Sequence, residues 1–312
     1  MKILVVTAMY PHPERPGWGA FVHRQVEGLK KAGHTVEVVH ILGYKSRLAY
    51  LKGAAQVLAR TRRERFDVVH AHFGLTGVSA IPRWHTPLVI TLHGSDALVG
   101  RFLPLMSRLS CAFADAIISV SPRITARFPT EHMIPCGVEL SEYVPRDRAE
   151  ARKRLGLPMD QLLVLFPYDP ERPVKRHGLA VAVIQELKRR GRDAELMVVF
   201  KAPNAEMPWY YAASDAFILC SSSEGGPTAV KEAVACNLPV VTVDVGDVRD
   251  VLAGVPISAI VPDTPKDLAD AVDRLAAQGV PEGFHGPTAM QRFALSHTIL
   301  ALEKVYEQVR RR

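Results

Sequence analysis

The sequence is poor in cysteine: among 312 residues there are four, Cys111, Cys136, Cys220 and Cys236, widely spaced and without a C-x-x-C pair. That spacing argues against a disulfide framework or a zinc ribbon and suits a reduced, cytosolic compartment. No stretch approaches the ~20 apolar residues of a membrane-spanning helix. The apolar run from Ile3 to Met9 is shorter than the core of a secretion signal with its cleavage site. Nucleotide signatures are missing as well. There is no G-x-x-x-x-G-K-[ST], which removes the P-loop reading. Gly17-Trp18-Gly19-Ala20-Phe21-Val22 lacks the third glycine of G-x-G-x-x-G, and the second strand runs into His40-Ile41-Leu42 without an acidic residue for a ribose, which disfavours a nicotinamide site. Asp-x-Asp does not occur, so the usual carboxylate pair for a divalent ion on a diphosphate is absent and no metal is expected.

What is present reads as α/β. Hydrophobic residues make up 48% and charged residues 23%, the balance of a globular chain long enough for two domains. Short β-branched runs alternate with helical patterns, the signature of parallel sheets wrapped by helices. Strands are expected at 2–7, 35–41, 67–71, 88–92, 116–120 and 132–134, then, after a break around 137–145, at 162–166, 195–200, 216–220, 240–243 and 258–261. This pattern gives two Rossmann-like, doubly wound domains, residues 1–145 and 146–289. Leu295, Ile299, Leu302, Tyr306 and Val309 fall on one face of a last helix, so 290–312 is expected to pack back on the first domain. A cleft between the carboxyl ends of the two sheets is the default ligand site.

The net charge of +7 is unevenly placed. Residues 1–155 carry 22 Lys and Arg against 12 Asp and Glu, whereas residues 156–312 carry 17 against 20. Between Tyr44 and Arg65 lie seven basic residues, Arg60, Arg62 and Arg63 among them, and only Glu64 is acidic. The apolar stripe of this stretch, Leu48, Leu51, Ala55 and Leu58, is expected to cover the sheet, and its charges either to be solvated or to face an anionic membrane. It lacks the interleaved aromatics of a nucleic-acid surface, so no nucleic-acid partner is expected.

The most informative stretch is Ser221 to Ala233, between a strand and a helix. Gly225 and Gly226 allow close backbone approach, Pro227 suits a first helical turn, and the free N–H groups that follow form a seat for phosphate. Glu224, Thr228 and Glu232 are spaced by four and would share a face if the helix reached back to Glu224. The two carboxylates suit vicinal hydroxyls, or else dipole complementation and a solvated face.

Glu224 and Glu232 form an E-x7-E pattern, and with it the chain resembles the family-four retaining glycosyltransferases of the GT-B fold, such as bacterial capsule, lipopolysaccharide and teichuronic-acid transferases. Further matching stretches are Gly17–Val22, Gly33-His34-Thr35-Val36, Asp67–His72, Thr91-Leu92-His93-Gly94-Ser95-Asp96, Gly137-Val138 and Asn237–Val241. The resemblance implies that a hexose or N-acetylhexosamine passes from a nucleoside-diphosphate sugar to a glycan or lipid-linked acceptor, with retention, without metal or other cofactor, in cell-envelope polysaccharide synthesis. It assigns Glu224 to the donor sugar, Glu232 to the ribose, and Gly225, Gly226, Thr228 and Ala229 to the donor phosphates, with Gly19 also in the donor-binding set. Lys175 takes the family's lysine position, while Arg172 stands three residues before it where the family has four. His93 and Glu224 are the implied catalytic groups, and Asp96 and His72 lie toward the acceptor. The stretch after Phe200 is shorter than in the family. His70, His72 and His93 also raise a three-histidine zinc site. A sugar-nucleotide epimerase and a nucleotide-sugar-sensing or nucleic-acid-binding regulator are the rival functions, and a cytoplasmic enzyme peripheral to the inner membrane face is the expected setting.

Overall fold

The computed structural model describes residues 1–128 and 130–311, and they divide into two compact units. The first contains Met1–Gly137 and the C-terminal segment from Leu295; the second is Val138–Ala294. Six strands build the first unit: β1 (Lys2–Thr7), β2 (Thr35–His40), β3 (Val68–His72), β4 (Leu88–Leu92), β5 (Ala116–Ser119) and β6 (His132–Met133). They form one parallel sheet in the order β2-β1-β3-β4-β5-β6. β3 and β4 are buried along their whole length because both faces are covered by helices, so their residues are apolar or bound to partners on both sides.

Alternation along the strands assigns those faces. Leu4, Val6, Val69, Ala71, Leu88 and Ile90 face one core, which also holds Val57 of the helix Leu48–Arg63. Ile3, Val5, Val68, Val89 and Ile118 face the other, where Val22, Val26 and Leu29 meet Leu295, Ile299, Leu302, Tyr306 and Val309 of the last helix, Leu295–Arg310. The stripe read from the C-terminal sequence thus closes the first unit's core. The stripe read from Leu48–Arg63 does not. Leu48 and Leu51 are each 70% exposed, and Gly53, Val57 and Thr61 face inward instead. Gly53 decides the rotation: a Cβ there would lie 2.6 Å from Ile41 Cδ1, so the helix seats its glycine face on Ile41 and turns Leu48 and Leu51 outward.

The second unit has β7 (Leu162–Phe166), β8 (Ala194–Val198), β9 (Ala216–Leu219), β10 (Val240–Thr242) and β11 (Ser258–Ile260), parallel and ordered β11-β10-β9-β7-β8. It starts at Val138, whose N–H donates to the Phe293 carbonyl at 2.9 Å, and the fully buried Tyr143 belongs to its core. The helix Arg148–Leu155 is capped by Asp147, which accepts from Glu150 N–H at 2.7 Å, and ends at Gly156 with φ 65°. After the edge strand β8 only residues 199–206 precede the helix Met207–Ala213, so the chain returns at once to β9 in the middle of the sheet. Among the described residues no helix is long and apolar enough to cross a membrane.

Candidate active site

Parallel sheets send the loops after neighbouring strands to the same edge. In the second unit β7 and β9 are neighbours, and the loops that follow them are tied together by Ser222 N–H, which donates to the Val174 carbonyl at 2.9 Å. The β7 loop carries Lys175 at the end of a short 3-10 turn, Pro173–Lys175; the β9 loop carries Glu224. Lys175 Nζ donates to Glu224 Oε1 at 2.5 Å, with both side chains largely buried, and lies 4.0 Å from the Tyr168 ring centroid. Burial pulls the Lys175 amine below the ordinary lysine range; the Glu224 carboxylate opposes that pull, while Arg172 adds to it. Arg172 therefore lies close enough to be felt at Lys175 although it stands three residues before it.

The helix after this loop begins at Thr228. Pro227 is its extended cap residue, with ψ 104°, and no side chain caps the helix. The helical path does not reach back to Glu224, so Glu224 and Glu232 do not share a helix face. They are separate in surroundings as well. Glu232 is buried on the helix and accepts a hydrogen bond from the Tyr211 hydroxyl at 2.8 Å. Burial first, then the Glu232 charge, hold the Tyr211 phenol well above its usual range. Gly225 is buried, whereas Gly226, Thr228 and Ala229 are partly open at the start of the helix. Gly246 packs against this turn: a Cβ on it would come within 3.0 Å of Glu224 Cβ and 3.1 Å of Pro227 Cδ, and its φ is +60°. The next residue, Asp247, is buried against the fully buried Lys231 at 3.5 Å.

Three features here escaped the sequence reading. Tyr211 follows a tryptophan in an unremarkable helix, and nothing local ties it to Glu232. The Lys231–Asp247 pair links residues whose types read as surface charge. Tyr168 lies under Lys175 with its hydroxyl buried and without a hydrogen-bond partner, and its ionisation is pushed well up by burial and by both Glu224 and Glu232.

In the first unit β3 and β4 are neighbours, and histidines cluster at their carboxyl ends. His70 binds the Tyr306 hydroxyl at 2.6 Å through Nδ1 and Thr91 Oγ1 at 2.7 Å through Nε2, joining the last helix to the sheet. His72 is fully buried, and its Nδ1 lies 2.9 Å from Nε2 of His93. The Gln25 side-chain amide nitrogen approaches His72 Nε2 at 3.4 Å, so Nε2 accepts and the His72 Nδ1–H donates to His93. The proton of His93 then sits on Nδ1, 3.8 Å from the Cys136 sulfur. Desolvation pushes His72 down to about 3 and puts His70 and His93 well below the normal histidine range, so all three rings are neutral at pH 7. With His70 engaged by Tyr306 and Thr91, the three rings do not converge on one point; among the described residues no group of three His, Cys, Asp or Glu is placed to hold a metal.

Phe21 and Phe73 pack against His93, with ring centroids 4.8 and 4.7 Å away. Phe21 follows Gly19, the cap residue of the helix Ala20–Lys31. There φ is +67°, and a Cβ would stand 2.2 Å from the Met9 carbonyl oxygen, so only glycine fits. Asp96 is buried, and its carboxylate accepts from the N–H groups of Gly94 at 2.8 Å, His93 at 3.0 Å and Gly74 at 3.3 Å. Burial raises it to about 6 against these hydrogen bonds. Asp96 is thus a pin for the His93 loop. Arg60, Arg62 and Arg63 lie at the far end of their helix, where Arg60 pairs with Glu37 at 2.7 Å and Arg62 covers the Trp84 ring at 4.6 Å.

A family model described as Glycosyltransferase Family 4 matches residues 3–142, and one described as Glycosyl transferases group 1 matches residues 171–278. A Bacillus subtilis protein named as a teichuronic acid biosynthesis glycosyltransferase, TuaC, is 28% identical over 354 aligned residues, with 88% of this chain and 89% of its own covered. A D-inositol 3-phosphate glycosyltransferase from Frankia alni is 30% identical over 272 residues, covering 68% and 66%. Among solved structures, a sucrose-phosphate synthase from Thermosynechococcus elongatus matches with a TM-score of 0.78 at 18% identity, over 99% of both chains. HepE of Anabaena, solved with UDP and glucose, matches at 0.74 and 17% identity, over 97% of this chain and 99% of its own. At these identities the structural matches establish the fold, which is GT-B.

Proposed function

Because the chain belongs to the family-four glycosyltransferases, we propose that it transfers a hexose or N-acetylhexosamine from a nucleoside-diphosphate sugar to a glycan or lipid-linked acceptor hydroxyl. The observation that carries this reading is the buried Lys175–Glu224 pair beside the uncapped start of the helix Thr228–Ala235. A buried cation and free N–H groups at one edge form a place for a diphosphate, and a carboxylate held by that cation accepts sugar hydroxyls. Glu232, oriented by the Tyr211 hydroxyl, is assigned to the ribose. Gly225, Gly226, Thr228 and Ala229 line the phosphates, and Arg172 adds charge beside Lys175.

In the transfer, the bond from the anomeric carbon to the phosphate oxygen breaks and the nucleoside diphosphate leaves with the electron pair. Lys175 and the helix N-terminus stabilise the charge that develops there. The acceptor oxygen bonds to the anomeric carbon on the same face, with retention, and its proton passes to the departing phosphate. His93 is not a base in this scheme. Its Nε2 is occupied by His72, its ring is neutral, and its Nδ1–H is spent only on a weak sulfur acceptor, so it serves as a donor to a substrate oxygen. Asp96 and His72 act on the acceptor side through His93, by fixing its loop and its tautomer. Lys175 supplies the positive charge a metal would otherwise bring, and no divalent ion is required. Full activity in excess chelator is the expected result, and strict manganese dependence would contradict it. A role in cell-envelope polysaccharide synthesis is supported by the name of the TuaC relative, a teichuronic acid biosynthesis glycosyltransferase.

The test is product analysis. Incubation with a panel of UDP-, GDP-, ADP- and dTDP-sugars and a glycan acceptor should give a product whose anomeric configuration, read by NMR coupling constants, matches the donor's. An inverted product would contradict retention. Conversion of the nucleotide sugar without any acceptor would indicate an epimerase.

A further inference from the structure

The helix Phe102–Cys111 buries Ser107 and Ser110 against Gly74 and Gly77 of the helix Gly74–Ala80, a close contact of small residues in which a Cβ on Gly74 would collide with Ser107. Its opposite face is left outward and is apolar. Phe102 is 63% exposed, Leu105 57% and Leu109 43%, at spacings of three and four, with Val99 and Phe113 exposed at either end. The same helix Gly74–Ala80 is flanked on its other side by Leu48–Arg63, where the Tyr50 carbonyl accepts from Ser79 Oγ at 3.0 Å and where Leu48 and Leu51 also point outward. Two unpartnered apolar faces therefore stand on one side of the sheet.

The charges on the two helices themselves have a single sign, although Glu14 pairs with Lys45 and Glu37 with Arg60 beside them. From Ala97 to Ala114 the sequence has Arg101 and Arg108, both exposed, and no acidic residue; from Leu42 to Arg63 it has Lys45, Arg47, Lys52 and the three distal arginines, again with none. The unit as a whole carries 21 Lys and Arg against 10 Asp and Glu. A second copy of this chain would bring the same positive charge to the contact, whereas an anionic bilayer complements both the charge and the apolar side chains.

We propose that this face, Phe102, Leu105 and Leu109 with Leu48 and Leu51, inserts into the headgroup region of an anionic membrane, steered by Arg47, Lys52, Arg101 and Arg108. The inference rests on the acceptor reading of this unit, and it shifts the membrane contact from Arg60, Arg62 and Arg63 to the opposite end of their helix. Twelve residues separate Leu48 from Arg60, about 18 Å along the axis.

The test is co-sedimentation of the full chain with phosphatidylcholine vesicles, with and without phosphatidylglycerol. Wild type should bind the anionic vesicles. Phe102→Ser/Leu105→Ser/Leu109→Ser should lose about tenfold or more of that binding. Arg101→Glu/Arg108→Glu should lose it in a salt-dependent way, and Arg60→Glu should change it little. If the triple variant does not fold, the single variant Phe102→Ser, expected to lose a few-fold, replaces it. Equal binding by wild type and variant overturns the proposal, as does no binding by wild type, or a wild-type dimer that the variant converts to monomer in sedimentation velocity. Titration with UDP, GDP, ADP and dTDP runs beside it. Vesicle binding without nucleotide binding would remove the transfer reading and leave the membrane face standing; nucleotide binding without vesicle binding would do the reverse.

Discussion

The two units carry their candidate functional side chains at the same kind of place, the carboxyl ends of central parallel strands, yet their electrostatics are opposite. In the first, three histidines are held neutral and the one buried carboxylate is bound by backbone N–H groups. In the second, buried ions face each other: Lys175 with Glu224, Lys231 with Asp247. The desolvation of such a pair can exceed what its attraction returns, and removing one partner leaves an uncompensated buried charge. Neutral donors suit hydroxyl groups, and buried cations suit a leaving diphosphate. One sheet architecture thus presents two electrostatic environments through what its loops carry.

The sharpest way to break this contrast is to remove the cation. Lys175→Ala strands the Glu224 carboxylate and takes away the charge at the leaving group, so kcat/KM should fall about 10²–10³-fold, roughly 3–4 kcal/mol. A loss below threefold in steady-state assays would mean that Lys175 is structural only. Glu232→Gln weakens a charge-assisted contact to a neutral one, and nucleoside diphosphate affinity measured by calorimetry should drop about ten- to thirtyfold, roughly 2 kcal/mol, with the acceptor KM unchanged.

The histidine side of the contrast is read by pH. In the unfolded chain each histidine titrates near 6.5, while the folded chain refuses the proton. Stability therefore falls as pH drops below about 6.5, by up to about 1.4 kcal/mol per pH unit for each buried histidine. Asp96, raised to about 6, holds a proton in the folded state that the unfolded state releases, so between about pH 4 and 6 it reduces the slope by one proton. Urea midpoints between about pH 5 and 7.5 should show this loss, and His72→Gln should make it shallower by one proton. An unchanged slope in the variant would show that His72 is charged in the folded protein. The smallest effect is expected for Tyr211→Phe. It removes one hydrogen bond to Glu232, about 1 kcal/mol, and should raise the dissociation constant of nucleoside diphosphate a few-fold while leaving kcat with saturating donor near wild type.

Much of this was legible in the sequence. Among the described residues, apolar and β-branched runs located the strands, all but the two-residue β6 being buried on at least part of their length, and the C-terminal stripe identified its own packing face. The E-x7-E stretch, with Gly225 and Gly226, marked the loop that carries Glu224 to Lys175. What the chain order concealed were partners that only topology brings together: Lys175 and Glu224 are 49 positions apart, and His70 and Tyr306 are 236 apart. The helix Leu48–Arg63 misled for a different reason. Its leucines made the more hydrophobic stripe, but the contact of Gly53 with Ile41 allowed closer backbone approach and set the rotation. Glu224 and Glu232 misled similarly, since a spacing of eight suggests one helical face but Pro227 starts the helix after the first of them.

The nucleoside-diphosphate site proposed at the second unit's edge is built on Lys175, Glu224 and Glu232. Isothermal titration of wild type and Lys175→Ala with UDP, GDP, ADP and dTDP tests it most directly. Saturable one-to-one binding of at least one diphosphate to wild type is expected, and its loss in the variant. Binding of none of them, or equal affinity in both proteins, would contradict it.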